Sequence, residues 1–141
     1  MGFYRIKTDK NDILFSQLIR FGKILCDRCG KERKLQCAHI FSRGFWNTRF
    51  DEKNAIALCS TCHDWFDTHK IRAVLLDERK RVFSSDDESY TFLVKRMGRT
   101  WDDLLKLYAK ANIPYSGYSY KKEQINLWLR ERLAEKRGET V

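Results

Sequence analysis

Two short stretches decide how this chain folds: Cys26-Asp27-Arg28-Cys29-Gly30 and its later counterpart Cys59-Ser60-Thr61-Cys62-His63. Each Cys-x-x-Cys pair can place two thiolates on one tetrahedral ion, with the 29 residues between the pairs folding back as a hairpin. Gly30, directly after the first pair, suits the tight turn of a metal knuckle. Four thiolates leave an ion no open position, so such a site cross-links the chain and does no chemistry. Cys37 is left over and reads as an ordinary buried thiol. A disulfide framework is not expected, because the cysteine count is odd and Met1-Gly2-Phe3-Tyr4-Arg5 lacks the apolar run of a secretory signal.

Periodicity places these knuckles among other elements. Leu14, Phe15, Leu18 and Phe21 recur at helical spacing, which predicts a helix from Asn11 or Asp12 to Phe21 with Gly22 as its C-cap. Strands are expected over 35–41 and 55–58, a polar and aromatic loop over 42–54, and a helix over 61–70. The stretch 71–83 fits a helix or a hairpin turning at Asp77-Glu78-Arg79-Lys80, and the hairpin fits slightly better. Ser85-x-x-Glu88 and Thr100-x-x-Asp103 are capping boxes for two further helices, the first closed by Gly98 and the second ending before Pro114. A turn or linker over 115–120 precedes a last helix over 121–137, striped by Ile125, Trp128, Leu129 and Leu133. The expected fold class is α+β. Residues 1–141 read as a single domain, with a metal-bound core over about 22–70 and a helical cap over about 84–137.

Charge points to the partner. The chain has 28 Lys and Arg against 19 Asp and Glu, a net +9 with pI near 9.4, as expected of a protein that meets a polyanion. Arg20, Lys23, Lys34, Arg43 and Arg49 cluster around the knuckles and are the candidate DNA contacts. Phe45 and Trp46 lie between two of these arginines, where they either stack on a base or pack on the protein. Four cysteines alone do not separate zinc from a single iron as in rubredoxin. Zinc leads because the surroundings suit a nucleic-acid binder rather than an acidic electron carrier. No run of about 18 apolar residues is present, so a membrane span is not expected and the chain reads as cytoplasmic.

All three histidines, His39, His63 and His69, fall within the 26–69 window with the four cysteines and Asn54. The order His39, Asn54, His63, preceded by Cys-x-x-Cys and closed by Cys-x-x-Cys-His, resembles the HNH nuclease motif. The run Arg49-Phe50-Asp51-Glu52-Lys53-Asn54 with Ala55-Ile56-Ala57-Leu58-Cys59, and Leu14-Phe15-Ser16-Gln17-Leu18-Ile19-Arg20 upstream, resembles phage-borne HNH proteins, including the NinG-type recombination proteins. The resemblance covers about residues 12–70. It implies a ββα-metal unit with a structural zinc on Cys26, Cys29, Cys59 and Cys62, flanked by an N-terminal helix and a helical C-terminal extension.

It also implies a metal-dependent DNA endonuclease of a bacterial or phage-infected cell; the oligomeric state is not legible in the sequence, a homodimer being one candidate. His39 would be the general base, which suits an imidazole with an ordinary pKa near 6.5. Asn54 would brace the loop between the strands, and His63 would hold a catalytic divalent cation, Mg2+, Mn2+ or another. Where the family often carries an acidic residue or a histidine as a further metal ligand, just before the base, this chain has Ala38. Asp67, one turn after His63, and His69 are the candidate replacements, with Asp64 and Asp51 weaker ones. The alternative reading is a catalytically inactive zinc-bound DNA-binding module.

Overall fold

A computed structural model describes residues 8–69, 88–114 and 117–139. At its centre two strands, β1 (Leu35–His39) and β2 (Ala55–Cys59), pair antiparallel, with Leu35 opposite Cys59 and His39 opposite Ala55. β1 stops two residues earlier than its apolar pattern predicts. Beyond His39 the pairing passes to Asn54: its carbonyl accepts the Ile40 N–H at 2.8 Å, and its side chain takes over Phe41.

The hairpin is covered on both sides, which is why every residue of β2 is buried. One face carries Ala38, Ile56 and Leu58 and packs against Phe66 of α3 (Ser60–Thr68). The same cluster takes in Tyr90, Phe92 and Leu93 of α4 (Glu88–Lys95) and Leu104, Leu107 and Tyr108 of α5 (Trp101–Ala111). The other face, with Ala55 and Phe50, meets Phe15 and Leu18 of α1 (Lys10–Arg20) and Leu129 and Leu133 of α6 (Tyr118–Lys136). Burying apolar side chains on two faces gives a two-stranded ribbon the support it could not supply alone.

Several boundaries move for identifiable reasons. α1 begins before Asn11, because Asp9 caps it and forms a capping box with Asp12. Phe21 therefore lies past the helix end and is exposed, while Gly22 follows with φ 72°, the left-handed conformation of a helix exit. The expected loop over 42–54 holds a one-turn helix, α2 (Trp46–Arg49), and a 3-10 turn (Glu52–Asn54) capped by Asp51. The expected linker over 115–120 gives way to α6 at Tyr118. The Tyr118 ring stacks on Phe50 and lies 4.2 Å from the Trp46 ring, and its hydroxyl donates to Asp9 at 2.6 Å. The Thr100–Asp103 capping box forms as expected. The hairpin reading of 71–83, and Ser85, lie outside the described residues. Among the described residues no helix is long and apolar enough to cross a membrane.

Candidate metal centre and catalytic cleft

The four-cysteine site follows from strand register. Cys59 ends β2, Cys62 sits one turn into α3, and the first knuckle folds over them as a small ribbon in which Leu25 bridges Glu32. The Cys26 N–H donates to Lys31 and the Gly30 N–H to Cys26, closing the turn at Gly30 with φ 70°. Asp27 pins the knuckle to β2, donating its backbone N–H to the Ala57 carbonyl at 3.0 Å and accepting the Ala57 N–H through its carboxylate at 2.9 Å. The four sulfurs all lie within 4.8 Å of one another, and Cys29 Sγ is 3.9 Å from Cys59 Sγ. Tetrahedral zinc with bonds of about 2.3 Å needs sulfurs about 3.8 Å apart, so the site is spaced to hold zinc.

The donor chemistry agrees. At Cys26 burial opposes ionisation, yet the N–H groups of Cys29, Cys59 and Arg28 outweigh it and bring the thiol down to about 6. At Cys62 burial and the neighbouring Cys59 and Cys26 sulfurs push the thiol up to about 11, with Arg28 opposing them from 3.5 Å. One sulfur thus ionises at another's expense. A divalent cation among the four sulfurs would favour the thiolate form of each, so the cluster could hold a metal ion.

The histidines occupy a different place. His39, at the end of β1, and His63 with Asp67, one turn apart on α3, line one open cleft of roughly 730 Å3, whose opposite wall is α1 with Asp12, Ser16 and Arg20. The His39 Nε2 lies 3.0 Å from the Arg49 carbonyl. A carbonyl only accepts, so Nε2 carries the proton and Nδ1 is the basic nitrogen of the neutral ring. Phe15 packs against the same ring, centroids 5.5 Å apart. Asn54, wholly buried, accepts the Phe41 N–H and donates to the Phe41 and Thr48 carbonyls, which ties both ends of the loop over 41–54 together.

His63 presents both nitrogens to partners. Nδ1 is 2.8 Å from Gln36 Oε1 and Nε2 is 3.2 Å from Asp67 Oδ2; both oxygens accept, an arrangement that an imidazolium satisfies with two N–H groups and a neutral ring satisfies with a cation between Nε2 and Asp67. An imidazole nitrogen and a carboxylate oxygen this close, open to one cleft, fit adjacent positions on a single divalent cation. His69 is not brought to this place. It ends α3, stacks on Trp65, donates Nδ1–H to the Trp65 carbonyl at 2.8 Å and faces Glu88 at 3.7 Å. Ala38 is fully buried and faces the core with Phe66 rather than the cleft, so the position carries packing where the family resemblance would place a ligand. Asp51 is taken up by the Lys53 N–H and Lys110, and Asp64 is exposed.

The basic residues divide. Arg20 and Arg43 line the cleft, Arg20 held by Ser16 and Arg43 by Thr8. Lys23 and Lys34 are exposed away from it, Lys23 paired with Asp27. Arg49 corrects the expectation of a DNA contact: it is 1% exposed and forms a two-pronged pair with Asp12, Nε to Oδ1 at 2.9 Å and Nη2 to Oδ2 at 2.6 Å. Its guanidinium lies 4.2 Å over the Trp46 ring, so that aromatic packs on the protein. Cys37 lines the cleft, but burial pushes its thiol up to about 12, which leaves it protonated and inert near neutral pH.

Sequence reasoning missed Asp12 and Gln36. Asp12 was visible only as a first-turn acid, and Gln36 only as the one polar side chain in the strand before the base. No curated protein and no solved structure matches the chain. Residues 26–72 match the model of a family described as HNH endonuclease, which supports a nuclease in general, with nucleic acid as its partner.

Proposed function

We propose that the chain is a metal-dependent DNA endonuclease that hydrolyses phosphodiester bonds with His39 as general base, and that zinc on the four cysteines holds its fold. The observation that carries this reading is the single cleft onto which His39 and the His63–Asp67 pair open, with the His39 proton committed to the Arg49 carbonyl. With Nε2 so occupied, Nδ1 takes the proton of a water that attacks phosphorus, and the bond to the 3′ oxygen breaks to leave 5′-phosphate and 3′-hydroxyl ends. Asn54 keeps the loop, and hence the Arg49 carbonyl, in place. His63 and Asp67 would hold Mg2+, Mn2+ or a related ion, which when bound supplies charge neutralisation at the phosphate and the departing oxygen. Arg20 and Arg43, on the facing wall, would take flanking phosphates. Duplex, branched and single-stranded DNA are all candidate substrates, the last two suggested by the resemblance to phage recombination proteins. The core and its helical cover would act as one domain.

Incubating supercoiled plasmid with the zinc-loaded protein and added Mg2+ or Mn2+ tests the reading: nicked or linear product that disappears on chelation supports it. The burial of Ala38, which leaves two side-chain ligands in the cleft, favours one alternative, a zinc-bound DNA-binding module without activity. Binding of the same plasmid without cleavage under every divalent metal would decide for that alternative.

A further inference from the structure

We propose that Asp12, on a helix outside the family-matched segment, is a positioning residue for His39 and acts through Arg49. The inference rests on His39 being the general base. The Arg49 carbonyl fixes the Nε2 side of the His39 ring at 3.0 Å. Arg49 is the last residue of a four-residue helix, and the closing carbonyls of any helix lack an internal partner. A single turn is also too short to hold its own end rigidly. What fixes that carbonyl must therefore come from outside α2, and two anchors do so. Asn54 holds the Thr48 carbonyl one residue earlier, and Asp12 holds the Arg49 side chain with both oxygens.

The Asp12 carboxylate is itself rigid. It also accepts the Asp9 N–H at 2.9 Å in the α1 capping box, and one turn further along α1 Phe15 packs on the His39 ring. One face of α1 thus supplies both the tether and the wall. A buried ion pair is a poor source of stability, since apolar residues of similar size serve as well or better. Its two-pronged geometry does fix direction, and direction is what a base oriented through the Arg49 carbonyl requires.

The test uses the full zinc-loaded chain. In the absence of DNA and added divalent metal, nitrogen-15 NMR of the His39 ring should show the Nε2–H tautomer predominating in the wild type and a mixture of tautomers in Asp12→Asn. With metal and saturating protein, single-turnover plasmid cleavage by Asp12→Asn should fall about tenfold to a hundredfold, the scale of a small misplacement of a reacting group. The double variant Asp12→Leu/Arg49→Met removes the tether without leaving a buried charge alone, and should show the same two changes should Asp12→Asn not fold. A folded variant of either kind with an unchanged tautomer ratio overturns the proposal. If the wild type cuts no DNA, the nuclease reading fails, yet the tautomer comparison still decides whether Asp12 positions His39.

Discussion

The four-cysteine corner and the histidine cleft sit on the same hairpin and are built in opposite ways. In the corner the four cysteine sulfurs are brought within 4.8 Å of one another, three of the residues are buried, and the Cys59 N–H donates to Cys26 Sγ. In the cleft two candidate ligand atoms, on His63 and Asp67, stand 3.2 Å apart on one helix, in a site wide enough to admit a phosphate. A closed ligand set spends its coordination on the fold, and an open one keeps positions for water and substrate. On the proposed function, cohesion belongs to one region and chemistry to the other, and each substitution below should affect one and spare the other.

The largest effect belongs to the corner. Cys59→Ser should abolish zinc binding and the cooperative fold of the hairpin together, because a structural zinc contributes on the order of 10 kcal/mol, comparable with the whole stability of a small domain. Metal analysis and thermal melting of the variant would check this, and a folded zinc-free protein would break the comparison at its stronger end. In the cleft, His39→Ala should lower cleavage about 10²- to 10⁴-fold, the usual weight of general-base catalysis. Zinc content, melting temperature and DNA affinity should stay near the wild type. Cleavage at an undiminished rate would remove His39 from the mechanism.

Position 38 lies between the two regions and tests the boundary directly. Were it a vacant ligand position, Ala38→Asp would lower the metal concentration needed for cleavage. The side chain instead faces Phe66 and the core, fully buried, so the substitution places a carboxylate among apolar neighbours and should cost about 3 kcal/mol or more. A lowered melting temperature without any gain in metal affinity is the expected result. A stable variant that needs less metal would mean that β1 presents this position to the cleft.

What could be read in advance follows the same division. Cys26, Cys29, Cys59 and Cys62 announce themselves by spacing, since metal ligation needs those atoms at those intervals. Asn54 is legible only through the family resemblance, and its geometry here fits the bracing role that resemblance implies. Arg49 was not legible, because a surface arginine and a buried one look alike until a partner is known, and its partner Asp12 is 37 residues away. The α6 start at Tyr118 was hidden for the same reason: the Tyr118 contacts with Asp9 and Phe50 are tertiary and leave no local pattern.

The smallest effects should separate His63 on α3 from His69 at its C-cap, the histidine that spacing already left less well placed. Six residues apart, His63 and His69 point to different sides of the helix. His63 is oriented by Gln36 and paired with Asp67, whereas His69 is oriented by Trp65 and faces Glu88. Removing a partner that fixes the ring of a ligating histidine typically costs 10- to 100-fold in metal affinity or activity. Gln36→Leu should therefore raise the Mn2+ concentration for half-maximal cleavage by that order, and Asp67→Ala by at least as much. His69→Ala should move it less than twofold, because the ring it loses caps the helix and stacks on Trp65 without lining the cleft. Titrating cleavage rate against Mn2+ for the three variants reads all of this in one experiment. A requirement raised by His69→Ala and untouched by Asp67→Ala would shift the metal to the far end of α3, and the cleft would then no longer be the place where the chemistry happens.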